Sequence, residues 1–446
     1  MTMLHHYYVP GLYVEEHAID VPFDWTGKQP GAPLDGETLR LFYRVIASPE
    51  HVHDELPLLV FLQGGPGGAG PRPLNPTSDG WIAEAVKHFR VVLPDQRGTG
   101  RSSGVDSHAL ASWGDPAGQA RRLKHYLADS IVRDFEHLRR VGFERRPWVT
   151  LGQSYGGFLT LSYLSLFPEG VAASFTTGGI PHVPADAKEL YRHTFPRMAR
   201  KTAQFYERYP QDVERVATVA DYLHDHDVAL PNGDRLSVER LQTLGADFGM
   251  KPSFERLHWL LDTAFVAGDG RANRDSPLSD TFLDAVMTAT ASRPLYWPLQ
   301  EFIYANGTLH EPIDWAAQQV RDTMPAFDVA ARPLTFTGEA IFPWMFRQER
   351  ALRPYADAVD ELMRDTSFGL IYDADRLERN TVPLQAAVYF DDMYVDSGLQ
   401  LDTLSRIGNS HYWVTNEFEH DGLHGDAVFR HIYQEALDRG DLAELF

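Results

Sequence analysis

The most constraining feature of the sequence is a serine between two glycines, where a predicted strand meets a predicted helix. The run PWVTLGQ (147–153) is typical of a buried strand, and FLTLSYLSLF, after Gly157, has a helical pattern. Ser154 lies at the junction, with Gly152 and Gly156 two positions to either side. A sharp strand-to-helix turn needs glycines there, because a Cβ would clash with neighbouring backbone. The pattern predicts a nucleophilic Ser154, held at the strand end beside helix amides that favour negative charge.

Short β-rich runs alternate with helical patterns on both sides of this motif. Residues 126–141 place apolar side chains near one face, and residues 426–440 are amphipathic, so both predict helices. The predicted strands are LRLFYRVIA (39–47), LPLLVFLQ (56–63), FRVVLPD (89–95), PWVTLGQ (147–153), AASFTTGG (172–179), PLQAAVYF (383–390) and HYWVTN (411–416). This alternation predicts an α/β protein with a mostly parallel sheet covered by helices.

The middle of the chain differs in composition and in hydrophobic pattern. From about residue 183 it consists of helical segments rich in Arg, Tyr, His and Asp, such as 187–209 and 280–293, without strand alternation. A chain of 446 residues is also too long for one compact core of ordinary size. We therefore expect a core formed by residues 1–182 and 376–446, with a large helical cap domain inserted at residues 183–375.

A serine nucleophile needs a base, and the base needs an orienting carboxylate. In the α/β-hydrolase fold these follow the serine in the order acid, then histidine. The C-terminal candidates for the base are His411, His420, His424 and His431. His411 begins a predicted strand and His431 falls inside the final helix, whereas His420 lies in a polar loop just after a strand. We predict that His420 is the base, with His424 as the alternative.

The acid is expected at the C-terminal end of the strand before that loop. The run AAVYF leads directly into Asp391 and Asp392. Because side chains alternate across a strand end, one of the two can point toward His420. We predict Asp392, which lies one step further into the loop, and expect Asp391 to be structural.

A glycine-rich loop, QGGPGG (63–68), follows the predicted strand LLVFL. The first oxyanion donor of this architecture lies in the loop after an early strand, and glycines let the backbone approach a substrate closely. We expect the amides of Gly65 and Tyr155 to form the oxyanion hole.

Three ordered motifs, QGGPG (63–67), DQRGTGRS (95–102) and GQSYGG (152–157), together resemble the proline iminopeptidases, also called prolyl aminopeptidases. The resemblance extends through residues 57–180 and 383–424 and is weaker in the predicted cap. Short members of that family usually have His where Gln63 stands and Gly-Arg-Tyr-Asp near the acid. This chain has Tyr-Phe-Asp-Asp at 389–392, which indicates the longer branch of the family.

The resemblance implies an α/β-hydrolase body with a helical cap, cleavage of N-terminal proline from peptides, and recognition of the free amino end by acidic cap residues. Its alignment places the catalytic acid on Asp392, and the run EHDG (419–422) is similar to the catalytic-histidine loop. For the amine we expect Glu339 and Glu301, because each has aromatic neighbours and a carboxylate pairs with a cationic amine. The alternative for both is a solvated glutamate on a helix. Asp95-Gln-Arg97 is expected to brace the loops rather than to contact substrate.

The predicted reaction is attack by Ser154 on the carbonyl of the N-terminal residue, with His420 relaying the proton and Asp392 orienting the imidazole. Water then releases the acyl-enzyme. The alternatives are an esterase or amidase, or a broader, tripeptidyl aminopeptidase, with the same triad, because fold and nucleophile do not determine substrate. A non-catalytic, hydrolase-like binding module is a further alternative that the intact Ser-Asp-His order disfavours.

Composition excludes several other classes of protein. A formal net charge of −21 opposes nucleic-acid binding, and an acidic site would favour a substrate with a free amine. The sequence has no cysteine, so neither disulfides nor thiolate catalysis is available. No HExxH pattern is present, and the glycines at 65–70 lead into a loop rich in turn formers rather than the helix that a dinucleotide-binding motif needs, so we expect neither a metal nor a cofactor. With no membrane-length apolar run and no standard signal peptide, the expected location is cytoplasmic, without a membrane partner.

Overall fold

The computed structural model describes residues 2–266, 276–291 and 293–445. In this part of the chain a nine-stranded sheet forms the centre of the fold. Its strands are β1 (Thr2–Val9), β2 (Leu12–Pro22), β3 (Thr38–Ala47), β4 (Leu58–Leu62), β5 (Arg90–Pro94), β6 (Trp148–Gln153), β7 (Val171–Thr177), β10 (Leu384–Tyr389) and β11 (Ser410–Thr415); a separate pair is β8 (Val228–Ala229) with β9 (Arg235–Leu236).

The strand order is β1-β2-β3-β5-β4-β6-β7-β10-β11. From β5 to β11 every neighbouring pair is parallel, whereas β1, β2 and β3 join the sheet through antiparallel pairs. The predicted mostly parallel sheet is confirmed, and all seven predicted strands are present. The β1–β2 hairpin was not predicted. Most residues of β1 are exposed, so this edge strand has little of the apolar alternation that identifies a strand in a sequence.

The helices are α1 (Gly80–Ala85), α2 (Ser107–Ser112), α3 (Pro116–Leu123), α4 (Ala128–Gly142), α5 (Tyr155–Leu166), α6 (Ala187–Arg208), α7 (Asp212–Asp225), α8 (Val238–Gln242), α9 (Phe254–Asp262), α10 (Asp280–Ala289), α11 (Tyr296–Leu299), α12 (Ala316–Asp322), α13 (Met345–Gln348), α14 (Ala356–Leu362), α15 (Ala374–Glu378), α16 (Ser397–Leu404) and α17 (Ala427–Asp438). Among the residues that the structure describes, no helix combines the length and apolar character needed to cross a bilayer.

The central strands are buried on both faces, and alternate side chains enter two different cores. In β4, Leu58, Val60 and Leu62 pack with α4, α5 and the apolar residues of the middle of the chain. Leu59 and Phe61 point the other way and pack with α1 and α17. Helices on both faces explain why these strands are continuous apolar runs in the sequence.

The middle of the chain connects two neighbouring strands of the sheet, β7 and β10. Residues 183–375, called the insertion below, contain helices α6 to α14 and the first two residues of α15. Within it, β8 and β9 form a small antiparallel pair that the sequence did not indicate. Each has two residues, too few for any alternation to be visible in the sequence. The domain boundaries at 182/183 and 375/376 stay predictions.

A buried ion pair ties the N-terminal strands to the helical layer. The side chains of Arg97 and Asp134 are both inaccessible to solvent, and Arg97 Nε donates to Asp134 Oδ2 at 2.7 Å. The guanidinium also donates to the carbonyl oxygens of Pro22, Phe23 and His125 at 2.8 Å. The expected bracing role of Arg97 is confirmed by these contacts.

We expect Arg97→Met to lower the free energy of unfolding by about 3–5 kcal/mol, because it leaves Asp134 as an uncompensated buried charge. Urea denaturation followed by circular dichroism measures the change. The control is Arg430→Met, which removes an exposed ion pair with Asp426 and should change stability little. Equal effects of the two substitutions would contradict the prediction.

Candidate active site

The turn between β6 and α5 has the geometry that its glycines predict. A Cβ on Gly156 would lie 1.8 Å from the carbonyl oxygen of Leu62 in β4, and a Cβ on Gly152 would lie 2.3 Å from the oxygen of Gly156. Ser154 at the centre of the turn has φ +56°, a left-handed backbone conformation that residues other than glycine rarely adopt. Ser154 is partly exposed although its neighbours in sequence are buried. The turn thus presents the serine at the carboxyl edge of the sheet.

The loop after β4 passes directly beside this serine. A Cβ built on Gly64 would lie 3.2 Å from the Cβ of Ser154, and Gly65 has φ +125°, which is accessible only to glycine. The amide of Gly65 donates to no acceptor among the described residues. Tyr155 is the first residue of α5, so its amide has no partner within the helix. Both amides therefore remain available, and their role as oxyanion donors stays a prediction.

The loop after β5 holds the glycine loop in place. Gln96 Nε2 donates to the carbonyl oxygen of Gln63 at 2.9 Å. Asp95, which is completely buried, accepts from the amide of Gly70 at 2.9 Å and pairs with Arg72. The expected bracing role of the Asp95-Gln-Arg97 run is confirmed for these two residues as well.

Asp392 and His420 lie together at the ends of β10 and β11. Asp392 Oδ2 is 2.7 Å from His420 Nδ1, and both side chains are buried. The other carboxylate oxygen, Oδ1, accepts from the amides of Tyr394 at 2.8 Å and Val395 at 3.1 Å. These bonds set the direction of the carboxylate, and a carboxylate on Nδ1 leaves Nε2 of the imidazole free to serve as a base.

The electrostatics of the site favour a charged imidazole. Burial alone would lower the pKa of His420, but Asp392, and more weakly Glu339 and Asp421, outweigh it and raise that pKa above its usual value. The ring of Tyr394 stands edge-on to the imidazole, with 4.8 Å between the ring centroids. The surroundings therefore stabilise the imidazolium that a proton relay generates.

The other candidates from the sequence lie elsewhere. His424 Nδ1 is 2.9 Å from Asp79 Oδ1 at the start of α1, and His431 packs on Trp413. His411 lies in β11. Asp391 is partly exposed and makes no hydrogen bond with any described residue, so Asp392 is the member of the pair that contacts the histidine.

Glu339 comes from the insertion and lies close enough to His420 and Asp392 to interact with both electrostatically. It is partly exposed, and its carboxylate forms no hydrogen bond or ion pair with any residue that the structure describes. Burial raises the pKa of Glu339 to about 7; Asp392 adds to the shift, whereas His420 and Arg293 oppose it. An unpaired carboxylate at this depth is costly, and a cation placed beside it would relieve the cost.

Glu301, the second predicted amine ligand, already has two partners. It is completely buried, and its carboxylate oxygens accept from the amides of Ala316 at 3.0 Å and Ala317 at 2.9 Å, at the start of α12. Burial raises the pKa of Glu301 to about 8, although these two amides oppose the shift. Its observed contacts are those of a carboxylate that caps a helix.

Two buried tyrosines connect the glutamates electrostatically with Asp392. Tyr304 is one of the aromatic neighbours expected beside Glu301, whereas Tyr191 was not predicted. Tyr191 interacts electrostatically with Glu301 and Glu339, and Tyr304 with Glu301 and Asp392. No local pattern marks Tyr191, because it belongs to the site only through packing. Among the described residues, no group of three or more His, Asp or Glu side chains is arranged to hold a metal ion.

The chain is similar in sequence to known α/β-hydrolases. Residues 57–265 match the family model described as the alpha/beta hydrolase fold. The chain is 42% identical over 437 residues to a proline iminopeptidase of Aeromonas sobria, covering 97% of each chain. It is 34% identical over 398 residues to the proline iminopeptidase aneH of Aspergillus aculeatus, covering 87% of each. A crystal structure of the proline iminopeptidase of Mycobacterium smegmatis matches 96% of this chain and all of its own, with 14% identity and a TM-score of 0.43.

The buried Glu301 predicts how stability depends on pH. Its pKa is about 8 in the folded protein and near 4.5 when exposed, so its contribution to stability is complete below about pH 4.5 and is lost as pH rises through 8. Glutamine resembles the protonated acid. Glu301→Gln should therefore lose less stability than the wild type between about pH 5 and about pH 9, measured by urea denaturation at each pH.

Glu311, an exposed residue near the same helix, supplies the control. Glu311→Gln should follow the wild-type curve. If Glu301→Gln also follows it, Glu301 is not the source of the pH dependence.

Proposed function

The chain belongs to the proline iminopeptidase family of α/β-hydrolases, and we propose that it is a serine aminopeptidase that releases N-terminal proline from peptides. The curated relatives that cover almost the whole chain carry this name. Peptides with a free N-terminus are the proposed substrates, and the cytoplasm is the proposed location.

In the proposed mechanism Ser154 attacks the carbonyl carbon of the N-terminal residue. His420 takes the hydroxyl proton and passes it to the leaving amine, while Asp392 keeps the imidazole in the required tautomer. The negative charge on the carbonyl oxygen is stabilised by the amides of Gly65 and Tyr155, a contribution worth about 3 kcal/mol of barrier for each donor. Water, activated by the same histidine, then releases the acyl-enzyme.

The observation that carries the aminopeptidase proposal is the state of Glu339. A partly exposed carboxylate that has no partner among the described residues, beside Asp392 and His420, suits a cationic group close to the reacting carbonyl. The N-terminal amine of a peptide is such a group, because it lies one carbon from the carbonyl that is attacked. Bringing it to Glu339 would lower the pKa of that glutamate and keep it ionised at neutral pH.

Glu301 enters the proposal in a secondary role. Its oxygens have lone pairs beyond those used by Ala316 and Ala317, and both glutamates interact electrostatically with the buried Tyr191. We propose that Glu339 meets the amine directly and that Glu301 supports the site from behind.

We expect Ser154→Ala and His420→Ala each to reduce kcat by about a millionfold, and Asp392→Asn by about ten-thousandfold, without unfolding the protein. Asp391→Asn is the matched control and should retain most of the activity, because Asp391 does not contact the histidine. Release of naphthylamine from proline-naphthylamide measures the rates. A larger loss at Asp391 than at Asp392 would show that the wrong acid has been assigned.

Glu339→Gln should impair cleavage of proline-naphthylamide far more than hydrolysis of an uncharged ester, because only the first substrate has an amine to pair. A charge-assisted contact of this kind is worth about 2–5 kcal/mol, so kcat/KM should fall about thirtyfold or more. Glu301→Gln should cause a smaller loss.

An N-acetylated proline substrate provides the control for the amine itself. It should be poor for the wild type and lose little further in Glu339→Gln. Parallel losses on amide and ester would mean that Glu339 supports structure, and wild-type rates on both would place amine recognition elsewhere in the insertion.

A further inference from the structure

A lysine of the insertion reaches the loop that carries the histidine. Lys201, on helix α6, is 7% exposed, and its Nζ lies 2.5 Å from Glu419 Oε1. A buried ammonium group is costly unless a carboxylate pairs with it, so this contact is a specific one. Glu419 directly precedes His420 in the chain.

Glu419 depends on that contact for its charge. Burial raises the pKa of Glu419, as do Asp392 and Asp391, and Lys201 opposes the shift. The second carboxylate oxygen, Oε2, is buried and has no partner among the described residues. Without Lys201, the carboxylate would have to take up a proton or move toward solvent, away from Asp392.

Other contacts hold the same loop against the insertion. The amide of His420 donates to the carbonyl oxygen of Gly249 at 2.9 Å. The amide of Lys251 donates to the carboxylate of Asp421, and the ammonium of Lys251 donates to the carbonyl oxygen of Glu417. These bonds hold the residues around the histidine, and the Lys201–Glu419 pair holds the side chain that directly precedes it.

We propose that Lys201 is a positioning residue for catalysis, which acts through Glu419 to hold His420 in line with Ser154. A displaced Glu419 would shift the backbone of the next residue and with it the imidazole. A misplacement of about 1 Å in such a group costs about a hundredfold in rate. The insertion would then complete the catalytic geometry in addition to supplying Glu339. This inference rests on the hydrolase function proposed above.

The test compares Lys201→Met, Lys201→Arg, Glu419→Gln and the double variant Lys201→Met/Glu419→Gln. Lys201→Met should lower kcat about 10- to 100-fold with KM for proline-naphthylamide nearly unchanged, and Lys201→Arg should recover most of the loss. Glu419→Gln should show a similar loss. The double variant should be no worse than Lys201→Met, because both substitutions remove the same interaction, the contact between Lys201 and Glu419. Labelling of Ser154 by a fluorophosphonate should slow in parallel, since it needs the histidine but not the amine site.

Asp365→Asn is the matched control. Asp365 lies in the insertion and pairs with Lys124, which precedes the insertion in the chain. Neither residue belongs to the loop that carries His420. This variant should keep wild-type kcat and labelling rates. Wild-type kcat in Lys201→Met or Glu419→Gln, or additive losses in the double variant, would overturn the positioning role.

Protein that fails to fold is recognised by its melting temperature and circular dichroism. If Lys201→Met alone misfolds, Glu419→Gln and Lys201→Arg decide the question by the same criteria. A wild-type protein that the fluorophosphonate does not label would refute the proposed hydrolase function, whereas normal labelling of every variant refutes only the positioning role.

Discussion

The close approach of helix α5 to strand β4 is the constraint on which the site depends. There is no space for a side chain at Gly156, because its Cβ would meet the carbonyl oxygen of Leu62 at 1.8 Å. The chain can reverse from strand to helix in so little room only if Ser154 takes a left-handed conformation. The same closeness brings the loop after β4 within contact of the serine. One packing distance therefore sets the position of the nucleophile and of its predicted oxyanion loop.

The site combines groups from two parts of the chain with different electrostatic character. The sheet edge supplies Ser154, Asp392 and His420. The carboxylate of Asp392 and the imidazole of His420 are partners of each other. The insertion supplies Glu339, which has none among the described residues and whose pKa of about 7 reflects burial. In the proposed mechanism this imbalance gives selectivity, because a substrate amine repays the desolvation of Glu339 and a neutral substrate does not.

The sequence predicted the core better than the insertion, for identifiable physical reasons. Strands buried on both faces are apolar runs, so β4 and β6 could be recognised in the sequence. The exposed β1 and the two-residue β8 and β9 could not. Chain order and strand-end position identified His420 and Asp392, and the structure places these two side chains 2.7 Å apart. Their catalytic roles stay predictions. The partners of Glu301 could not be predicted, because Ala316 and Ala317 reach it only through the packing of α12.

The sequence by itself determined the strand–turn–helix at Ser154, the order of the candidate catalytic residues and the family, because these depend on neighbours in the chain and on spacing. Only the tertiary structure decided which charges are paired. Glu339 and Glu301 look alike in the sequence. The carboxylate of Glu301 caps a helix, whereas that of Glu339 has no partner in the described structure. Lys201 reaches a residue more than two hundred positions away, at Glu419. Such differences arise from burial and from contacts between distant segments, which no local pattern encodes.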